Sequence, residues 1–343
     1  MDMWEKLKTS SKPVLIYGTG NGADKLMDRL EKLDIPVSGI FVNDEFARGQ
    51  IFRGHSVMTY AEACRNFGDM TVLLAFGSHL PSVLDRVCSI ASRQELYAPD
   101  LPLYGENFFT EKFYSENADR FDKIRAAFAD EVSRESFDAV LQYKRTWDIG
   151  PLLSCRQEDI WDLIEFRPGD SFLDLGAYSG DTVKKFLRYC PDYSKIIAVE
   201  PDASKFRKLK MNTENLKQTE IRNCGISDKW ELRRFSGGKG RGSSAGEGEE
   251  TVFDSVDNLL LIRSVSFLKM DIEGMEEAGI LGAKKCIQRC HPAMVISAYH
   301  RPEDLFHIPE LVYSINSEYD LYLRKGYSLP AWDLEYLFLP KKG

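Results

Sequence analysis

The stretch Ser171-Phe-Leu-Asp-Leu-Gly-Ala-Tyr-Ser-Gly-Asp181 decides the fold of this chain. Its apolar residues Phe172, Leu173 and Leu175 predict a buried strand, and the two glycines allow the loop backbone to come close to a ligand. A helix is expected to begin at once, over residues 182–189. A strand, a glycine loop and a helix in this order are typical of the nucleotide-binding turn of Rossmann-like α/β folds.

The charges around this turn select the ligand. Asp174 stands immediately before the first glycine, where it would repel a pyrophosphate but attract an ammonium or sulfonium group. Asp181 adds negative charge at the other end of the loop. A second predicted strand then delivers Glu200, near the offset at which Rossmann-like folds place an acid for the two ribose hydroxyls. These positions suit a ligand with a cationic amino-acid end, a ribose and an adenine. The cofactor they indicate is S-adenosylmethionine.

The whole chain sets limits on domain number and partners. Its 343 residues suit two domains, each able to bury a core, and the 43% hydrophobic and 29% charged residues are typical of a soluble globular protein. The formal net charge of -8, with no basic stripe, argues against a nucleic-acid partner. Residues 1–12 lack a signal-peptide core and no apolar run is long enough for a membrane span, which predicts a cytoplasmic protein.

The seven cysteines give no metal-type pattern. Only Cys286, Cys290 and His291 come close together, at the end of a predicted helix and without a second pair of ligands. We interpret them as packed free thiols, so no metal site is predicted at the cysteines.

The N-terminal residues repeat the order of strand, glycine loop and helix. A short buried strand precedes Gly18-Thr-Gly-Asn-Gly-Ala23, which matches the pattern G-x-G-x-x-A, and an amphipathic helix is expected after it. Continued alternation predicts a small Rossmann-like α/β domain over residues 1–105. This domain either binds a nucleotide, through its glycine loop and Asp44, or has a structural or dimerising role, so that a homodimer is one possibility.

The spacing of apolar residues changes after this domain. Aromatic and aliphatic residues recur at three- and four-residue steps among charged ones, which predicts a pair of amphipathic helices. We interpret this apolar stripe as core and interdomain packing. Residues 106–154 are therefore expected to form a helical connector, and residues 155–343 to form the second domain.

The second domain continues the alternation of strands and helices. Its predicted strands are 171–175, 195–199, 220–224, 266–270, 293–297, 319–324 and 334–339. The last two follow each other with only a loop between them. Five alternating units closed by a hairpin are the plan of the class I methyltransferases, with a seven-stranded Rossmann-like sheet. The predicted fold class is therefore α/β, with such a domain after a smaller Rossmann-like domain and a connector.

Five blocks of the second domain follow one another in order. They read Phe-Leu-Asp-Leu-Gly-Ala-Tyr-Ser-Gly-Asp-Thr (172–182), Val-Glu-Pro-Asp (199–202), Gly-Ile-Ser-Asp (225–228), Phe-Leu-Lys-Met-Asp-Ile-Glu-Gly (267–274) and Tyr-His-Arg-Pro-Glu-Asp-Leu (299–305). Over residues 129–340 the chain resembles the FkbM family of S-adenosylmethionine-dependent methyltransferases, in its long form with an N-terminal α/β domain. The resemblance implies methyl transfer to an oxygen, with sugars and secondary-metabolite hydroxyls as the usual acceptors.

The resemblance also implies the residues that bind the cofactor. Around the methionine end they are Asp174, Gly176, Ala177, Tyr178, Gly180, Asp181 and Thr182, with Asp271 nearby, Glu200 on the ribose, and Pro201 and Asn223 near the adenine. Tyr178 departs from the asparagine that is common in shorter family members. We expect its ring to pack rather than to face the sulfonium.

The reacting groups are expected outside the carboxyl ends of the central strands. Asp271 and Glu273 follow the fourth strand of the second domain, and His300 follows the fifth. A hydroxyl acceptor must lose its proton, and His300 is the expected general base, with Asp271 or Glu273 orienting it or binding the acceptor. A divalent metal held by the same three residues is a competing interpretation.

Two further questions stay open from the sequence alone. The glycine-rich stretch 236–248 is either a flexible connection or a mobile cover over the acceptor pocket. The leading function is a methyltransferase that uses S-adenosylmethionine to methylate a small hydroxylated acceptor, such as a sugar, a glycan precursor or a secondary metabolite. The alternatives are an NAD(P)-dependent oxidoreductase that uses the N-terminal glycine motif, and a non-catalytic scaffold that binds S-adenosylmethionine.

Overall fold

The computed structural model describes residues 2–105, 107–236, 244–245, 249–260 and 264–342. The helices in this part are α1 (Met3–Thr9), α2 (Asn21–Lys32), α3 (Tyr60–Phe67), α4 (Pro81–Ala91), α5 (Glu111–Glu116), α6 (Ala118–Ala127), α7 (Glu131–Thr146), α8 (Gly150–Leu153), α9 (Asp181–Tyr189), α10 (Ala203–Thr213), α11 (Val256–Leu260), α12 (Glu276–Gly282), α13 (Lys284–Cys290) and α14 (Asp304–Ile315). None of the helices in the described part of the chain has the length and apolar character that crossing a bilayer requires.

The strands are β1 (Val14–Tyr17), β2 (Gly39–Val42), β3 (Ile51–Phe52), β4 (His55–Thr59), β5 (Thr71–Leu74), β6 (Glu95–Tyr97), β7 (Ser171–Leu175), β8 (Lys195–Val199), β9 (Thr219–Arg222), β10 (Gly225–Ile226), β11 (Glu231–Ser236), β12 (Ser244–Ala245), β13 (Glu249–Asp254), β14 (Phe267–Met270), β15 (Ala293–Ser297), β16 (Tyr319–Lys325) and β17 (Leu334–Pro340). They form three sheets, of six, four and seven strands.

The first sheet has the order β3-β4-β2-β1-β5-β6, with β1 parallel to both β2 and β5. The predicted glycine loop joins β1 to α2. A Cβ at Gly22 would lie 2.2 Å from the backbone oxygen of Ala75, so this glycine lets α2 pack directly against the segment that follows β5. The hairpin of β3 and β4 and the edge strand β6 are not predicted from sequence. Strands this short carry little periodic signal.

The connector contains four helices, α5 to α8, where the sequence predicted two. Asn117 ends α5 and begins α6, and the Asp130 side chain caps α7 by accepting from the Ser133 amide. Polar caps thus divide a continuous apolar pattern into shorter helices. The Ser133 hydroxyl in turn accepts a bond from the amide of Leu323, so α7 lies against β16 of the last sheet.

The seven-stranded sheet has the order β16-β17-β15-β14-β7-β8-β9. Strands β15, β14, β7, β8 and β9 are parallel neighbours, and β17 closes the sheet antiparallel to both β15 and β16. All five residues of β7 are buried. The chain reverses its strand order between β7 and β14, so a crevice forms outside the carboxyl ends of these two strands. This topology confirms the predicted class I methyltransferase fold.

The four-stranded sheet, of order β10-β13-β11-β12, was not predicted. The predicted strand 220–224 corresponds to β9, which ends earlier, at Arg222, whereas β10 begins at Gly225 and pairs with β13. The antiparallel pair β11 and β13 frames the glycine-rich stretch. Residues 237–243 and 246–248 of that stretch lie outside the described residues, so the choice between cover and connection stays open.

The segment after β5 joins the first sheet to the last one. Ser78 exchanges two backbone hydrogen bonds with Leu329, of 2.9 and 3.0 Å, and a Cβ at Gly77 would lie 2.3 Å from the Trp332 ring. The amide of Tyr104 also donates to the backbone oxygen of His300 at 3.3 Å. These contacts bring N-terminal residues to the crevice of the seven-stranded sheet.

Candidate active site

A cavity of about 590 Å³ lies outside the carboxyl ends of β7, β8 and β14. Of the predicted site residues, it is lined by Gly176, Ala177, Tyr178, Asp181, Thr182, Glu200, Pro201, Asp271 and Glu273. Asp174, Gly180, Asn223 and His300 do not line it. Residues that were not predicted, among them His79, Tyr104 and Tyr299, complete the wall. This cavity is the candidate active site.

The glycine loop is tightly constrained. Gly176 has a φ of +79° and a Cβ there would lie 1.8 Å from the backbone oxygen of Asp271, so only glycine fits. Its amide donates to the backbone oxygen of Val199 at 3.0 Å. Gly180 also has a positive φ, of +90°, and directly precedes α9. The loop therefore holds its backbone between the ends of β8 and β14, with the N-terminus of α9 beside the cavity.

Glu200 connects this loop to the end of β8. Its two carboxylate oxygens accept from the amides of Tyr178 and Asp202, both at 2.9 Å. Asn223 stabilises the same turn from outside, by donating its side-chain amide to the backbone oxygens of Glu200 and Pro201 at 2.8 and 3.1 Å. Burial raises the pKa of Glu200 above its ordinary value. The carboxylate both organises the loop and faces the cavity.

Asp174 lies beneath the loop rather than in the cavity wall. It is fully buried and accepts from the Thr182 hydroxyl, while the ammonium of Lys269 lies 3.7 Å away. The same ammonium donates to the backbone oxygen of Gly176 at 3.0 Å. Burial raises the pKa of Asp174, although Lys269 opposes this effect. Asp174 and Lys269 thus support the loop as a buried pair.

Removing one member of this pair should destabilise the protein. Because Lys269→Met leaves the carboxylate of Asp174 buried without its cation, we expect a loss of about 3–5 kcal/mol in the free energy of unfolding. The double variant with Asp174→Asn should recover part of this loss. Urea unfolding of the wild type, the two single variants and the double variant measures the coupling. Additive losses would show that the pair does not interact.

Asp271 and Glu273 follow β14 and present their carboxylates to the cavity, with side chains 32% and 36% exposed. The Tyr299 hydroxyl donates to Asp271 at 3.2 Å. Although burial opposes ionisation, the charges of Lys269 and His300 lower the pKa of Asp271 below its ordinary value. Glu273 has a φ of +56°, which is uncommon for a residue with a side chain. The wall therefore presents a charged carboxylate next to a second carboxyl group in a strained turn.

His300 lies behind this wall and is only 1% exposed. Its Nδ1 is 3.1 Å from Oε1 of Glu276, and its Nε2 is 3.5 Å from Oδ1 of Asp271 and 3.6 Å from Oε2 of Glu273. Burial alone would lower the pKa of His300, but the three carboxylates raise it well above its ordinary value. His300 does not line the cavity itself, and its role as the general base stays a prediction.

Several site residues escaped the sequence analysis. Glu276 stands in the first turn of α12, and no pattern in the sequence indicates that its carboxylate approaches His300. Tyr104 packs on the turn after β14, where a Cβ at Gly274 would lie 2.5 Å from the tyrosine ring. Neither Tyr104 nor His79 could be assigned from sequence, because the contact between the two sheets brings them to the cavity.

The N-terminal glycine loop lines a separate cavity of about 470 Å³ at the carboxyl ends of β1 and β2. Asn43 lines this cavity and accepts from the Tyr17 hydroxyl, whereas Asp44, the predicted ribose ligand, does not line it. Arg48 contributes a positive charge to the wall. Nucleotide binding at this loop stays a prediction.

The seven-stranded sheet with its closing hairpin and crevice defines a class I methyltransferase fold. A family model described as "Methyltransferase FkbM domain" matches residues 174–329. Residues 174–329 therefore match the FkbM methyltransferase family, as the sequence blocks predicted. No curated protein matches the chain in sequence.

Solved structures agree with this assignment at the level of fold. The chain is similar to methyltransferase FkbM from Methylobacillus flagellatus KT, with a TM-score of 0.74 and 18% sequence identity, over 98% of this chain and 92% of that one. It is also similar to Aeropyrum pernix fibrillarin in complex with natively bound S-adenosyl-L-methionine, with a TM-score of 0.33 and 14% identity, over 51% and 69% of the two chains. The second likeness is too distant to carry an argument.

Proposed function

We propose that this protein is an S-adenosylmethionine-dependent methyltransferase that methylates a hydroxyl oxygen of a small acceptor, such as a sugar, a glycan precursor or a secondary metabolite. The observation that carries the proposal is the cavity of an FkbM domain whose wall combines the Gly176 loop, Glu200, Asp271 and Glu273. Cytoplasmic location remains a prediction from the sequence.

The residues of the cavity suit the cofactor by charge and position. Glu200 lies at the end of β8, where its carboxylate can accept from ribose hydroxyls while it holds the Tyr178 amide. Lys269 also lines the wall, and its ammonium can pair with the carboxylate of the methionine end. Asp271 and Glu273 offer negative charge to a sulfonium. S-adenosylmethionine, when bound, supplies an electrophilic methyl group on that sulfonium.

The same carboxyl groups can receive the acceptor. We assign Glu273 as the general base because its carboxyl group lines the cavity, close to the carboxylate of Asp271 that would bind the acceptor hydroxyl. Asp271 and its partner Tyr299 would hold the acceptor hydroxyl in line with the methyl group. Glu273 would take the proton of the acceptor hydroxyl, and bound S-adenosylmethionine would supply the methyl group to that oxygen.

His300 has a positioning role in this scheme. Its buried ring contacts both Asp271 and Glu273, so it fixes the two carboxylates that face the acceptor. The cavity wall also contains His79 and Tyr104, which limit the space for the acceptor. A cavity of about 590 Å³ shared between cofactor and acceptor suits a small molecule.

Release of S-adenosylhomocysteine from a panel of hydroxylated acceptors tests the proposal. For a productive acceptor, Glu273→Gln should lower kcat by about 10²- to 10⁴-fold, because the amide cannot take the proton. Glu277→Gln changes an exposed neighbour that pairs with His307 and should retain the wild-type rate. Cofactor binding without turnover of any acceptor would favour the scaffold alternative, and methylation of amines alone would contradict transfer to oxygen.

A further inference from the structure

Three potential metal ligands converge behind the acceptor wall. Asp271, Glu276 and His300 each offer one ligand atom, and these atoms all lie within 4.8 Å of one another. The residues come from three places in the chain, namely the end of β14, the first turn of α12 and the end of β15. The backbone of the seven-stranded sheet and α12 therefore fixes their mutual positions.

Three buried polar atoms of this cluster lack hydrogen-bond partners among the described residues. Neither ring nitrogen of His300 makes a hydrogen bond of acceptable geometry with a described residue, and the same holds for Oε2 of Glu276. Both residues are only 1% exposed. Buried polar groups are nearly always satisfied, so three unsatisfied atoms at one position indicate that a group is missing from this cluster.

The chemistry of the donors identifies the missing group. Two carboxylates and one imidazole suit a divalent cation that prefers oxygen ligands but accepts nitrogen, as Mg²⁺ and Mn²⁺ do. We propose that Asp271, Glu276 and His300 bind one such cation. A ligating imidazole is neutral, so the cation would replace the proton on His300. The proposed set differs from the metal ligands considered in the sequence, since Glu276 takes the place of Glu273.

The exposure of the three ligands is unequal. Glu276 and His300 are enclosed, whereas the side chain of Asp271 is 32% exposed and lines the cavity. The open coordination positions of a cation held here would therefore face the cavity through Asp271. If the proposed methylation of a hydroxyl is correct, the acceptor oxygen could occupy one of these positions, which would favour its deprotonation.

Binding of Mn²⁺ to the full chain after treatment with chelator tests the site. We expect saturable binding of one Mn²⁺ per chain, seen by calorimetry and by loss of the electron paramagnetic resonance signal of free Mn²⁺. Glu276→Gln should weaken this binding by about tenfold or more. Asp271→Asn, at a more exposed position, should do the same if Glu276→Gln fails to fold. Glu277→Gln, one residue further along and outside the cluster, should bind as the wild type does.

The possible results separate this proposal from the proposed function. Absence of saturable Mn²⁺ binding, or binding with the wild-type affinity in both ligand variants, would overturn the metal site. Methyl transfer that continues at the full rate in chelator would also overturn a role of the cation in the reaction, while leaving the methyltransferase function intact. Loss of transfer in chelator, with recovery on addition of Mg²⁺ or Mn²⁺, would support both.

Discussion

Gly176→Ala should abolish measurable binding of S-adenosylmethionine. It should also destabilise the protein more than the addition of one methyl group at any other position in the cavity wall. The positive φ of Gly176 costs a residue with a side chain about 1–2 kcal/mol. The larger effect comes from the backbone oxygen of Asp271, 1.8 Å from the new Cβ, because a backbone atom cannot rotate away. We expect a total loss of about 3 kcal/mol or more in the free energy of unfolding.

Gly169→Ala is the matched control for this change. Gly169 also has a positive φ, of +89°, but a Cβ there would meet no atom within 4 Å. Its variant should therefore show only the backbone cost, about 1 kcal/mol, with the affinity for S-adenosylmethionine unchanged. Urea unfolding and calorimetric titration of both variants make the comparison. Equal losses of stability would mean that the Gly176 loop does not approach the backbone oxygen of Asp271 closely enough to exclude a Cβ.

Glu200→Gln should weaken binding of S-adenosylmethionine by about 10- to 100-fold while the protein stays folded. The carboxylate accepts from two backbone amides and is placed to accept from the ribose as well. In the variant, the NH2 of the glutamine side chain would face one of these backbone N–H donors. That donor then loses its charged hydrogen-bond acceptor. The dissociation constant from calorimetry, with a thermal melt to confirm folding, gives the result.

Glu214→Gln serves as the control for the loss of one carboxylate. Glu214 is exposed after the end of α10 and does not line the cavity. Its variant should bind the cofactor with the wild-type affinity. If Glu200→Gln also bound normally, the ribose assignment of Glu200 would be incorrect, although its structural role at Tyr178 would stand.

The central strands could be predicted because their sequences report their burial. β7 and β15 are mainly apolar and fully buried, as expected for strands covered on both faces, and their bounds agree with the predicted ones. The four-stranded sheet gave no such signal. β10 and β12 have two residues each, and β11 mixes charged and apolar residues without strict alternation. Such strands depend on pairing with distant partners, which a local pattern does not reveal.

Site residues could be predicted where a position at the carboxyl end of a strand places the side chain in the cavity wall. Glu200 and Asp271 stand directly after parallel strands, and both line the cavity as that position implies. The environment of each side chain was not predictable in the same way. His300 also follows a strand, yet it is enclosed by carboxylates from β14 and α12. Its pKa depends on those tertiary contacts, which the local sequence does not reveal.

Titration of S-adenosylmethionine into the wild-type chain is the most direct test of the central claim, that the cavity beside Glu200 is a cofactor site. We predict saturable binding of one molecule per chain, weakened in Glu200→Gln and retained in Glu214→Gln. S-adenosylhomocysteine should compete for the same site. Absence of saturable binding to the folded wild-type protein would contradict the account.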